Sequence, residues 1–152
     1  MRFWRIAVGP NTGLDGEGAR LYGGRWNSEG TALVYAATQL SLAIIEVLVH
    51  VPPNLWPDQA EAFAVTLPDN ATVERFGDQR ALPRPEDFRA FGDDWVSRRK
   101  AHAFLVPSMI VPSSLGGIPT EEANALLNPA FASDWMITRA PFRLDERLRR
   151  RD

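Results

Sequence analysis

Between Thr38 and His50 the chain carries a run that is apolar almost all the way round a helix, and few folds can house such a segment. Leu40, Ala43, Ile44, Val47 and Leu48 fall at i, i+3, i+4, i+7 and i+8, forming one stripe. Leu42, Ile45 and Val49 occupy the other side, so the spacing predicts a buried helix. Thr38 is placed to cap its first turn, and Pro52-Pro53 ends it. The stretch from Leu42 to Val49 is interrupted by Glu46 and is far too short to span a bilayer.

The segments around this helix read as short strands. Residues 3–8 form an opening strand closed by Gly9-Pro10-Asn11, and Leu33-Val34-Tyr35-Ala36 forms a second. Between them, Gly13 to Gly30 holds too many glycines for a helix or an ordinary strand. Ala62–Leu67 and Ala103–Val106 are further strands, separated by a polar, proline-rich stretch that carries Gly92-Asp93-Asp94-Trp95. Thr120-Glu121-Glu122 opens a short helix through Leu127, stopped by Asn128-Pro129. Met136–Thr138 and Phe142–Leu144 are final strands. Strands and helices do not alternate regularly, which points to an α+β domain and away from a doubly wound sheet. At 152 residues the chain suits one domain, expected over 1–146, with a basic, frayed tail over 147–152.

Composition removes several function classes. There is no cysteine, which excludes disulfides, thiolate metal sites and cysteine nucleophiles. His50 and His102 are not at metal-ligand spacing, so no metal is expected. A formal net charge of −2 offers no global field for nucleic acid. The five tryptophans are scattered, as core residues are, and do not form a stacking platform. Met1 to Arg5 is charged and has no apolar h-region, so a cytoplasmic, membrane-free protein is expected.

Three places could carry chemistry. Glu46 is the only charged side chain in the body of the apolar helix and needs a cationic or hydrogen-bonding partner there. That partner belongs either to a functional site or to a structural ion pair. Gly23-Gly24-Arg25-Trp26-Asn27 could bring backbone amides and an arginine against a phosphate, or could be a tight turn under Trp26. It is neither a dinucleotide fingerprint nor a P-loop. Ser108 follows the strand ending at Val106, as a turn residue or a site hydroxyl, and no Gly-x-Ser-x-Gly elbow surrounds it.

Taken in order, Trp4-Arg5-Ile6, Gly16 to Asn27, Val34-Tyr35-Ala36, Leu42 to His50, Gly92 to Trp95, Val106-Pro107-Ser108 and Asn128-Pro129 resemble the RES domain family. The resemblance implies a fold similar to ADP-ribosyltransferases, a split β-sheet core with flanking helices. It implies a toxin of a toxin–antitoxin pair that consumes NAD as substrate, by hydrolysis, by phosphorolysis or by transfer of ADP-ribose to a protein; the alternative of a different class is a non-catalytic nucleotide-binding or interaction module. It also implies an Xre-type helix-turn-helix antitoxin as partner, within a complex that leaves room for a homo-oligomer of this chain. Carried over by motif, the site residues are Arg5, Arg25, Tyr35, Glu46 and Ser108. Two departures bear on the C-terminal half. Phe131 follows Asn128-Pro129-Ala130 where the family often has histidine, and the segment 111–123 is longer than usual.

Overall fold

The computed structural model describes residues 1–9, 13–52, 55–76 and 84–149. Nine strands are described: β1 (Arg2–Ala7), β2 (Val34–Ala37), β3 (Ala60–Thr66), β4 (Val73–Arg75), β5 (Ala103–Val106), β6 (Ser114–Leu115), β7 (Ile118–Pro119), β8 (Asn124–Leu127) and β9 (Met136–Phe142). The α-helices are α1 (Glu17–Tyr22), α2 (Leu40–His50), α3 (Phe88–Arg98) and α4 (Glu146–Arg149). Seven strands make one sheet in the order β4-β5-β8-β2-β1-β3-β9, and β6 and β7 form a separate hairpin. Only β4 and β5 run parallel; every other pair in the sheet is antiparallel. This is the α+β class expected from the irregular order of elements.

Within this sheet β1 and β2 diverge. β1 pairs with β3 along its whole length, from Arg2↔Thr66 to Ala7↔Glu61. With β2 it shares one position, Trp4↔Ala37. Beyond it, Arg5 and Val8 on one side and Leu33, Val34 and Tyr35 on the other line a cleft, with α1 contributing to its wall. Both flanks are well buried: Phe3 and Val65 on one side, Val34, Ala125 and Leu127 on the other, join a single apolar cluster. An aromatic cluster packs elsewhere, with Trp26 stacked on Phe88 at 4.3 Å and Phe76, Phe91, Phe104 and Trp95 around them.

Several elements differ from the sequence reading, each for a physical reason. The glycine-dense stretch does contain a helix, α1, because only Gly18 falls inside it while Gly16 and Gly23 cap it. Gly16 and Gly23 take positive φ of 74° and 67° at its two ends. Gly92 to Trp95 lie inside α3, where Phe88, Phe91, Gly92, Trp95 and Val96 make a helical apolar stripe. A Cβ at Gly92 would overlap the Trp26 carbonyl oxygen, so this glycine sets how closely α3 can lie.

Where a short helix is expected over 120–127, residues 124–127 instead form β8, a central strand. Ala125, Leu126 and Leu127 are completely buried between β5 and β2, and two-sided burial outweighs local helix propensity. The two final strands are one, β9, which pairs along all of β3 as the sheet's edge and there tolerates Pro141. At the C-terminal end α4 spans Glu146–Arg149; residues 150–152 lie outside the described residues, as do Pro10, Asn11 and Pro53.

α2 forms where expected, but Gln39 occupies its N-cap position and makes no side-chain cap. Thr38 instead accepts the Ala123 N–H at 3.0 Å, tying the end of β2 to the segment before β8. Nor is α2 buried all round. Leu42 and Ala43 are, whereas Ile45 and Val49 remain 37% and 60% exposed on one stripe. Among the described residues no helix is long and apolar enough to cross a membrane.

Candidate active site

The site residues inferred from sequence fall into two groups and one outlier. Arg5 and Tyr35 share the cleft between the diverging strands, a cavity of about 460 Å³ also lined by Val8, Gly16, Ala19 and Leu33. Arg5 donates through Nη1 to the Tyr35 carbonyl at 3.1 Å, filling the gap where β1 and β2 no longer pair. Its Nε is buried without a hydrogen-bond partner. Burial pushes the guanidinium below its ordinary value and Asp15 partly restores it. A buried cation with an unused donor beside a cavity is a natural anchor for an anionic or carbonyl oxygen.

Tyr35 is fixed at its far end. Its hydroxyl accepts the Trp26 N–H at 2.9 Å and donates to Asn27 Oδ1 at 2.7 Å. The Asn27 amide donates in turn to the carbonyls of Ala19, Ser28 and Thr31. Burial, foremost, pushes the Tyr35 hydroxyl up to about 12. The close approach that Gly24 permits is to this hydroxyl, for a Cβ there would stand 2.5 Å from it. Tyr35 therefore offers a ligand its ring, its hydroxyl being engaged.

The second group gathers on Glu46. Glu46 Oε1 accepts from Ser108 Oγ at 3.0 Å and from Asn124 Nδ2 at 2.6 Å. Ser108 Oγ itself accepts the N–H groups of Ile110 and Val111 at 3.0 and 3.1 Å. The sheet register brings these residues together. Asn124 opens β8 opposite Ala37 on one side and Val106 on the other, and Ser108 lies two residues past Val106. α2 starts just after Ala37 and lays its half-buried Glu46 against both. The two groups are adjacent along β2, where Tyr35 and Ala37 are about 7 Å apart at strand spacing.

Arg25 is the outlier. It is exposed and does not line the cleft, although it lies near enough to favour ionisation of the Tyr35 hydroxyl. Arg89 is the arginine that touches the glycine turn, donating to the Gly24 carbonyl at 2.9 Å. Phe131 stacks on His102 at 4.2 Å, so the position that departs from the family pattern is occupied by ring packing. Asn124 was not singled out from sequence. Its one signal was a polar residue heading the apolar run Ala125-Leu126-Leu127. Among the described residues, no three His, Asp or Glu side chains are grouped to hold a metal ion.

Comparison with known proteins agrees with this architecture. Residues 2–145 match the RES domain family. The chain is 38% identical over 144 residues to the Prs ADP-ribosylating toxin of Sphingobium sp. (strain YBL2), covering 84% of this chain and 82% of that protein. It is 33% identical over 123 residues to Toxin Res of Yersinia enterocolitica, covering 78% and 76%. A chain in the crystal structure of the M. tuberculosis MbcT–MbcA toxin–antitoxin complex shares the fold. The TM-score is 0.66 at 16% identity, over 97% of this chain and 86% of that one.

Proposed function

The chain belongs to the RES domain family, and from that premise we propose that it is the toxin of a toxin–antitoxin pair that breaks the nicotinamide–ribose bond of NAD. The observation that carries this reading is the Glu46 carboxylate, held through Oε1 while Oε2 accepts no hydrogen bond from any described residue. Cleavage of that bond passes through a cation-like ribose, and a fixed anion beside it stabilises the transition state more than the ground state. Glu46 supplies that anion. Arg5, with its unused Nε, binds pyrophosphate or ribose oxygens in the cleft. The Tyr35 ring packs against nicotinamide. Arg25, exposed outside the cleft lining, meets the part of the dinucleotide that extends beyond it. NAD is the substrate, and no metal is required by these roles.

The acceptor is water or phosphate in this reading. A second reading, transfer of ADP-ribose to a protein, is favoured by the Sphingobium relative, whose name is that of an ADP-ribosylating toxin. The partner we propose is an Xre-type helix-turn-helix antitoxin acting in the cytoplasm, on the strength of membership of the RES domain family and the relatives named Toxin Res. The deciding experiment follows nicotinamide and ADP-ribose from NAD with the purified protein, with and without phosphate, beside labelled NAD in a cell lysate. Release of nicotinamide that Glu46→Gln abolishes is expected. Label carried onto a lysate protein, with slow release otherwise, selects the second reading. Undiminished release by Glu46→Gln overturns the role of Glu46.

A further inference from the structure

We infer that Asn124 is a positioning residue for this reaction, clamping Glu46 Oε1 together with Ser108 so that Oε2 is the oxygen presented to the substrate. The inference rests on the functional reading above and adds a residue and a division of labour to it.

Hydrogen-bond capacity makes the division. A serine hydroxyl has one proton and two lone pairs. The Ser108 proton goes to Glu46 Oε1, and the Ile110 and Val111 N–H groups occupy its acceptor sites. Nothing of that hydroxyl is left for a ligand, so Ser108 acts through Glu46. Asn124 delivers its amide to the same oxygen at 2.6 Å, the shorter of the two bonds. Its backbone is fixed on both sides by the pairings with Ala37 and Val106. Two donors on one oxygen, one from β8 and one from the turn after β5, fix the carboxylate and leave the other oxygen open.

The donors are also neutral. An arginine or lysine in their place would spend the charge of Glu46 on an ion pair, whereas an amide and a hydroxyl orient it and leave that charge for the ribose cation. Among the described residues no cationic side chain bonds to the Glu46 carboxylate. The one titratable neighbour in hydrogen-bond contact, His50, meets the Glu46 backbone carbonyl through Nδ1 at 2.7 Å.

The test compares Asn124→Leu and Asn124→Asp with the native protein, each checked for folding by thermal melting. Asn124→Leu removes the donor and is expected to lower kcat on the order of 10- to 100-fold, the worth of one hydrogen bond to a charged group, with KM for NAD little changed. Asn124→Asp places a second carboxyl against Glu46. It donates only when protonated, so its kcat relative to the native protein is expected to climb as pH falls from about 8 to about 5. A purely structural asparagine gives no such acid rescue. A reading free of activity is the Asn124 side-chain amide resonance, which is expected to shift in Glu46→Ala. Native kcat in Asn124→Leu, a pH profile of Asn124→Asp parallel to the native one, or an amide resonance indifferent to Glu46→Ala each overturns the inference. Should the native protein release no nicotinamide, the functional reading falls, and the amide resonance still decides whether the clamp exists.

Discussion

The Tyr35 hydroxyl and the Glu46 carboxylate belong to groups adjacent along β2, yet they are held in opposite ways. Tyr35 is bound by Trp26 and Asn27, 9 and 8 residues away, in a network where every donor and acceptor is used locally. Glu46 is bound by Ser108 and Asn124, 62 and 78 residues away, through one of its two oxygens. A closed polar network rigidifies its surroundings and has nothing left to offer. A half-engaged carboxylate fixed from afar is rigid and still has capacity for a ligand. The first builds a wall; the second is equipped for chemistry. Substitutions in the two should therefore separate, one changing stability and the other turnover.

The largest separation is expected from Glu46→Gln. The amide keeps the shape and can still accept from Ser108 and Asn124 through its oxygen, so the melting temperature should stay within a few degrees. Loss of the fixed charge should lower nicotinamide release about 10³-fold or more, in the range of removing a transition-state stabiliser. If unfolding accompanies the loss, Glu46 belongs with the wall and the contrast fails. The counterpart on the wall is Gly92→Ala. Its new Cβ would overlap the Trp26 carbonyl oxygen, a backbone atom that cannot swing aside. Urea denaturation should show a loss of about 3 kcal/mol or more, since overpacking against main chain must displace α3. A variant as stable as the native protein would mean that α3 is free to shift, and that the wall is softer than its hydrogen bonds imply.

The same contrast explains what could be read from sequence. The wall is contiguous, so Gly23 to Asn27 and Val34 to Ala36 stood out as a block, and the Ala103–Val106 strand was placed to the residue. Glu46 stood out because a charge inside an apolar helix must find a partner. Asn124 did not, because its meaning depends on register. Thr120 to Leu127 carries the local marks of a helix, and only pairing with β2 and β5 turns it into a strand that points an amide at Glu46. The openness of α2 was hidden for a like reason: periodicity gives the faces of a helix, and which face is covered depends on where the sheet ends. The divergence of β1 from β2, which creates the cleft, follows from a register with one shared pair and leaves no mark on composition.

A smaller effect sharpens the wall side. Tyr35→Phe removes a hydroxyl that both accepts and donates, leaving the Trp26 N–H and Asn27 Oδ1 unsatisfied, at a cost of about 1–3 kcal/mol. Its pH signature is distinctive. Because burial raises the hydroxyl from 10.0 to about 12, the unfolded chain releases this proton first. The contribution to stability is complete below pH 10.0 and is lost as pH rises through about 12. Denaturation of the native protein across that range should steepen relative to Tyr35→Phe, which lacks the group. Parallel curves would show that the hydroxyl is not held as the geometry indicates.

Arg5 stands between the two cases, and its replacement by methionine tests on which side it falls. The guanidinium is buried, uses Nη1 on the Tyr35 carbonyl and leaves Nε without a partner. An incompletely satisfied buried cation contributes little net stability, because desolvation offsets what its hydrogen bonds gain. Methionine matches its length and apolar stem, so Arg5→Met should change unfolding free energy by no more than about 1 kcal/mol in either direction, the loss of one bond to Tyr35 set against relief of desolvation. If the unused Nε is there for a substrate oxygen, the same variant should raise KM for NAD about 10-fold or more, the worth of one charge-assisted bond, while kcat falls less. Equilibrium unfolding beside steady-state kinetics reads both quantities from one preparation. A loss of several kcal/mol with KM unmoved would place Arg5 in the wall with Tyr35, as the brace that keeps β1 and β2 at their separation, and the cleft would then need another residue to hold the anion.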